Sequence, residues 1–474
     1  MRRISPASRT KKSARMTSEI AVANKGKIDA YLLAQMYGEV CELARTDVDR
    51  YTKFIYWRLR EGWWTLTRLA GAAHWHDGAW RKPSADEAAR RRPLLEGDIP
   101  APARDRRLLI DLSGVYRSGK ATGIQRVAQN IARNAVESGG GLPVVIEQGR
   151  LFSFFRHASL PEEVEIAEGD RFLMLDASWN YVTEYPPIMA EISRKGGSNI
   201  VCLFDIIPLL YPAAFTPAVV RSFEVWMKDI VASSDAAVGI SRSVCDEFLD
   251  FVSASGAALR PDFRLGWWRL GADFTSLSKA PPSRKALGIA AAGPFFLSVG
   301  TLEPRKGYSV ALAAFELLWS EGSDARYVIV GRRGWNMRAL ESRIREHPQF
   351  GRRLFWLDDA SDADLAHLYQ HTRGLIAPSI AEGFGLPLVE AAHHGAPVIA
   401  SDIPVFREVG GDAIAYFDLL DPGDLARRVR EALANERRAP RLAFCSWRES
   451  ANELMTLIAN DAYQYGSVHR SQNG

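Results

Sequence analysis

Short apolar runs with helical stretches between them recur from residue 107 onward, and this alternation constrains the chain more than any other feature. Strands are predicted at 107–112 (RLLIDL), 171–175 (RFLML), 199–204 (NIVCLF) and 236–240 (AAVGI). After a break at 279–290 carrying Pro and Lys, the pattern restarts. Strands then follow at 295–299 (FFLSV), 327–330 (YVIV), 353–357 (RLFWL), 374–377 (GLIA) and 397–400 (PVIA), with a helix around 307–320. Strands alternating with helices imply parallel sheets with crossover helices. The body therefore reads as two consecutive α/β units of similar size, 104–285 and 286–445, with a C-terminal helix and tail at 446–474. In such folds ligands bind at the carboxyl ends of the strands or in the crevice between units. The first strand leads into a loop carrying Gly114, Gly119 and Gly123, with a helix predicted from about Ile124.

Composition narrows the function classes. Of 474 residues, 47% are apolar and 24% charged, which excludes wholesale disorder, collagen and coiled coil. Residues 1–100 carry 19 Lys/Arg against 12 Asp/Glu, whereas residues 101–474 carry 41 against 44. The body is thus no nucleic-acid surface. Cys41, Cys202, Cys245 and Cys445 form no CxxC pair and read as reduced thiols of a cytoplasmic protein. No run of 18 apolar residues is present, and the basic N-terminus lacks the apolar stretch of a secretory signal.

Residues 1–25 read as a disordered basic tail, and 26–103 as a helical extension and linker. Ile28, Leu32, Met36 and Val40 recur every four residues. The segment 51–70 combines Lys53, Arg58, Arg60 and Arg68 with Trp57, Trp63 and Trp64. Two readings suit it: an extension packed on the body, or a basic amphipathic helix lying on the inner face of an anionic membrane.

The chemistry concentrates in two loops. Pro378-Ser-Ile-Ala-Glu-Gly-Phe-Gly-Leu-Pro-Leu-Val-Glu390 follows a strand and opens a helix, with Pro387 suited to its first turn. Gly383 and Gly385 permit close backbone approach, and a helix N-terminus offers N–H groups to oxygens or phosphates. Glu382 and Glu390, eight apart, can face one polyhydroxyl ligand. Gly300-Thr-Leu-Glu-Pro-Arg-Lys-Gly307 also follows a strand. Its Arg305 and Lys306 suit a diphosphate, the first as a fork and the second as a point charge.

These two loops, in this order, resemble the retaining glycosyltransferases of family 4, which have the GT-B fold: two Rossmann-like domains facing across a cleft. The resemblance extends through Ala391–Asp402, Glu408-Val-Gly-Gly411 and Ser446–Ala451, the last implying a C-terminal helix that crosses back onto the first domain. It covers about 104–465 and is strongest over 295–450. It implies that Glu390 binds the ribose of a nucleotide, and that Arg305 and Lys306 hold the donor diphosphate. Gly300, Thr301, Gly383, Phe384, Gly385 and Leu386 would line the donor, and Glu382 would lie near the reacting sugar. Thr301 stands where many members have Arg, and Arg305 is the candidate replacement. Thr122-Gly-Ile-Gln-Arg-Val127 resembles the glycine loop of an O-antigen mannosyltransferase-like subgroup. Gly123 and Gln125 are therefore cleft candidates, while Gln125 and Arg126 also suit a helix surface. Phe204 replaces the His of a His-Asp pair. Asp205 is left as an acceptor or sugar contact, or as a helix cap, and Ser241 as a helix cap at the cleft. Leu270–Asp273 marks the approach to the interdomain hinge.

No metal or cofactor is expected. Asp47/Asp49 and Asp362/Asp364 match Asp-x-Asp, but suit surface and helix-cap roles, and no acid cluster accompanies His74 and His76. The expected activity is metal-independent transfer of a hexose to a glycan or lipid-linked oligosaccharide in surface polysaccharide synthesis, with a GDP-sugar as donor. The rival readings are a GT-B epimerase or phosphorylase, and a non-catalytic assembly subunit that binds nucleotide sugar.

Overall fold

The computed structural model describes residues 25–36, 38–39, 107–118, 123–154, 163–272, 280–435, 437, 442 and 445–465. The expected tail through residue 24, the run 51–70, the linker 81–104, Cys41, Asp47/Asp49, His74/His76 and Asp273 lie outside the described residues.

The first unit is built on β1 (Leu108–Asp111), β2 (Leu142–Glu147), β3 (Arg150–Ser153), β4 (Arg171–Met174), β5 (Ser198–Leu203), β6 (Ala236–Gly239) and β7 (Arg264–Trp267). They lie in the order β3-β2-β1-β4-β5-β6-β7. Every pair is parallel except β2 and β3. That hairpin turns at Gln148–Gly149, with φ of 51° and 75°, the mirror-image turn that matches strand twist. The second unit holds β8 (Phe295–Val299), β9 (Arg326–Val330), β10 (Leu354–Leu357), β11 (Gly374–Ala377), β12 (Val398–Ser401) and β13 (Ala415–Phe417), in the order β10-β9-β8-β11-β12-β13. This sheet is wholly parallel. The chain winds outward from β8, then returns beside it at β11 and winds the other way. The two-unit α/β reading therefore stands, and β8/β11 is the switch point at which such sheets bind ligands.

One expectation is corrected. The segment holding Gly114 is not open loop but the short helix Ser113–Ser118. Two buried carboxylates capture its first N–H groups: Asp111 accepts from Ser113, and Asp176 accepts from Val115. Capped this way, the turn becomes helical.

The helices that position the site are α1 (residues 25–36 and 38–39), α2 (Gly123–Glu137), α3 (Arg242–Ser255), α4 (Tyr308–Ser320), α5 (Arg338–Arg345), α6 (Asp362–His371), α7 (Leu386–His393), α8 (Pro404–Gly410) and α9 (Trp447–Ala459). A capping box of Ser446 and Glu449 starts α9. Its Trp447, Ala451, Leu454, Leu457 and Ile458 join the apolar core of the first unit. The two chain crossings run side by side, Ala272 N donating to Cys445 O at 2.9 Å.

Helix α1 touches both units. Ile28 and Leu32 are buried in a cluster holding Ile207, Ala214 and Phe215 of the first unit together with Leu297 and Val330 of the second. Tyr31 Oη lies 2.7 Å from Ser309 Oγ, and Glu39 accepts from the N–H groups of Arg338 and Ala339, capping α5. Lys25 Nζ donates to Leu210 O at 3.3 Å.

Candidate functional site

The loops after β8 and β11 meet at the switch point because Gly307 lets them. Its φ is +67°, and a Cβ there would sit 1.9 Å from Pro378 O. A backbone bond closes the contact, Ile380 N donating to Arg305 O at 2.8 Å. Pro304–Lys306 form a single 3-10 turn that aims both cations at the second loop.

Their common target is Glu382. Lys306 Nζ donates to Glu382 Oε1 at 2.5 Å, Arg305 Nη1 to Oε2 at 2.7 Å, and Ser379 Oγ to Oε1 at 2.7 Å. Arg305 also pairs with Glu303 at 2.8 Å. Burial pushes the Glu382 carboxyl up, but Lys306, Arg305 and the hydrogen bonds outweigh it and hold its pKa at about 2. Burial opposes the Arg305 charge, yet Glu303, Glu382 and Asp205 keep it firmly protonated. Glu382 is thus a fixed anion and no proton donor at neutral pH.

Glu390 lies within α7, 7% exposed. Tyr369 Oη donates to its Oε2 at 2.8 Å, and Arg126 of α2 reaches its Oε1 at 3.2 Å. Burial raises the Glu390 pKa despite both partners. Phe384 and Leu386 turn their side chains onto the core of the first unit. A Cβ on Gly123 would lie 3.9 Å from Leu386. Gly385 packs on Phe406, Gly300 sits beside Lys306 and Tyr308, and Thr301 is exposed.

The first unit closes on these loops at two places. Gly383 abuts the Phe204 carbonyl, where a Cβ would come within 2.0 Å. Ser241 accepts from Val244 N, capping α3, and donates to Gly383 O at 2.7 Å. Glu408 of α8 caps the same helix from the opposite unit, accepting from Arg242 N at 2.8 Å and Ser243 N at 2.7 Å. Asp205 accepts from Ile207 N at 3.1 Å, and burial raises its pKa although Arg305 opposes the shift. Asp205 thus makes the turn-capping bond, and its carboxylate lies within the electrostatic reach of Arg305 and Lys306. Gln125 is nearly buried in α2.

The structure thus brings together Arg305, Lys306, Glu382, Gly383, Ser241 and Asp205, with Glu390 on the adjoining helix. Asp364 is a capping-box residue, and Asp362 lies 3.6 Å from Arg126. Among the described residues no three His, Cys, Asp or Glu side chains converge on a point that could hold a metal ion. A second cavity, lined by Arg171, Lys195, Arg264 and Tyr463, opens at the amino ends of β4, β5 and β7, away from this chemistry. Its basic groups already bind Ala459 O, Ile166 O and Asp461.

Sequence reasoning missed Glu303, Ser379 and Tyr369. Glu303 and Ser379 stand inside the quoted loops, where their polar side chains were a usable signal. Tyr369 lies on α6, and nothing local marks it.

The sequence profile described as "Glycosyl transferases group 1" matches residues 280–443, the span holding both loops. Those residues form a group 1 glycosyl transferase domain. The chain is 33% identical over 375 residues to the serotype-specific mannosyltransferase WbdA of Escherichia coli, covering 74% of this chain and 46% of that protein. It is 25% identical over 251 residues to the O-antigen chain mannosyltransferase RfbU of Salmonella typhimurium, covering 50% of this chain and 65% of that one. The chain spans just under half the length of its WbdA relatives. Among solved structures, a sucrose-phosphate synthase of Thermosynechococcus elongatus superposes with a TM-score of 0.50 at 17% identity, over 78% of this chain and 99% of that one. The trehalose-6-phosphate synthase OtsA gives a TM-score of 0.50 at 12% identity, over 77% of this chain and 96% of that one. The group 1 domain and the unit before it thus share the GT-B fold. Among the described residues no helix is long and apolar enough to cross a membrane.

Proposed function

We propose that this chain is a retaining, metal-independent glycosyltransferase that moves mannose from a nucleotide-diphosphate sugar, GDP-mannose, to a glycan or lipid-linked oligosaccharide in surface polysaccharide synthesis. The observation that carries the reading is the convergence of Arg305 and Lys306 on one buried anion at the β8/β11 switch point. Two preorganised cations in a dry site neutralise a departing diphosphate without reorganising. The α7 N-terminus adds N–H groups towards the same place. The bond from the anomeric carbon to the terminal phosphate oxygen breaks. The acceptor oxygen bonds to that carbon on the same face, and its proton passes to the departing phosphate. Glu382, ionised at every working pH, faces the positive charge that develops on the sugar ring. Glu390 takes the ribose hydroxyls. The transfer to mannose and to a polysaccharide acceptor rests on the activities named for the relatives.

The test is turnover of GDP-mannose by the full chain with a mannose-terminated acceptor, reading the anomeric configuration of the product by NMR. Lys306→Ala is expected to lose at least about 100-fold in kcat, the usual cost of removing one preorganised charge stabiliser. Equal turnover in Lys306→Ala and wild type refutes the assignment. Nucleotide binding without turnover of any donor favours the non-catalytic subunit.

A further inference from the structure

The two oxygens of Glu390 are held very differently, and the difference concerns a residue that the reaction above does not use. Oε2 is fixed by Tyr369, which is 1% exposed and buried beneath α7. Oε1 is met at 3.2 Å by Arg126, which reaches it from the opposite unit and keeps a side chain 34% exposed. Arg126 has a second carboxylate within reach: its Nη2 lies 3.6 Å from Asp362 Oδ1, whose side chain is 65% exposed. Asp362 is therefore more than a polar residue in the first turn of α6. It is a second anchor for the same guanidinium.

A guanidinium edge and a vicinal diol make the same offer to a carboxylate, two donors side by side. With Oε2 held by Tyr369, an arriving diol must approach the open side of Oε1, where Arg126 Nη1 lies. Because Tyr369 is walled in and Arg126 is not, an arriving ribose displaces Arg126. We propose that Arg126 is a displaceable counter-ion: it satisfies Glu390 while the nucleotide site is empty and moves to Asp362 when ribose hydroxyls take its place. Resting on the reading of Glu390 as the ribose ligand, this makes Arg126 a positioning residue contributed across the cleft. It opposes ribose binding, while Asp362 assists it.

Removing Arg126 and removing Asp362 should have effects of opposite sign. An ion pair with one partner a third exposed is a weak competitor, so Arg126→Gln should tighten ribonucleotide binding by about fivefold. Asp362→Asn removes the second anchor and should weaken binding by a similar factor. The experiment is isothermal titration of the full chain with GDP and with its 2′,3′-dideoxy analogue, with the UDP pair run alongside. Wild type, Arg126→Gln, Asp362→Asn and Glu390→Gln are compared. Supporting results are tighter GDP binding in Arg126→Gln, weaker binding in Asp362→Asn, and no change in either variant for the dideoxy nucleotide. General loosening of the fold would move both nucleotides together, so the ribose-dependent difference is the decisive readout. Unchanged or weaker GDP binding in Arg126→Gln, with Glu390→Gln still weakening it, overturns the displacement alone. If Glu390→Gln has no effect on either nucleotide, or neither nucleotide binds folded wild type, the ribose assignment of Glu390 falls and the displacement falls with it.

Discussion

Glu382→Gln keeps the shape of the side chain and deletes the charge that Arg305 and Lys306 share. Glu382 titrates at about 2 in the folded protein against 4.5 for the free group. That depression, at about 1.36 kcal/mol per pH unit, amounts to about 3 kcal/mol of stability at pH 7. Its side chain is 10% exposed, so solvent screens little of this. The figure agrees with the roughly 3–5 kcal/mol lost when one partner of a buried pair is removed. The sign of the pH dependence follows. A depressed carboxyl pKa stabilises above the unfolded value and loses that effect as pH falls towards the folded one. The variant should therefore trail wild type by about 3 kcal/mol at pH 7 and by about 2 kcal/mol at pH 3.5. Urea titration followed by tryptophan fluorescence at both pH values reads this directly. No deficit at pH 7, or the same deficit at pH 3.5, refutes the reasoning.

Gly307→Ala should cost about 3 kcal/mol or more, because the new Cβ would meet Pro378 O at 1.9 Å in a left-handed conformation. Gly256→Ala, at nearly the same φ with nothing within 4 Å, should cost only about 1 kcal/mol; equal losses in the two would assign the effect to φ and not to loop contact. Glu408→Ala removes the cross-unit cap of α3 and should lower the urea midpoint by the equivalent of about 1–2 kcal/mol. An unchanged midpoint would mean that water replaces the cap at no cost.

The strands legible in the sequence are those buried on both faces. β1, β4, β5, β6, β8, β9, β11 and β12 are apolar runs whose burial leaves no polar alternation. β3, β7, β10 and β13 lie at the sheet edges. β10 was still foreseen, as RLFWL, whereas β3 and β7 carry Arg150, Ser153, Arg264 and Gly266 among their four residues and β13 has three residues only, so their patterns are weaker. β2 escaped because Gln148–Gly149 is a less usual hairpin pair than Asn-Gly or Asp-Gly. Within the site, Arg305, Lys306 and Glu382 were visible because each stands in a short loop fixed by its own neighbours, and Glu390 because it follows that loop about one turn into α7. Tyr369 was not, since its role depends on tertiary approach: it is brought to Glu390 only when α6 and α7 pack. The pairing of Arg126 with Glu390 requires both units, and no local pattern records it.

Helix α1 determines how the cleft can move. Its polar anchors to Ser309, Arg338 and Ala339 all lie in the second unit, whereas Lys25 gives the first unit one exposed bond to Leu210. A cleft that opens on this side must part Ile28 and Leu32 from the cluster containing Ile207 and Phe215, or tear the helix from α5. The first separation is the smaller loss, so α1 would stay with the second unit if the cleft opened. Such an opening would wet an apolar face of the helix, and the hydrophobic effect would oppose it with a restoring force that grows weaker in the cold.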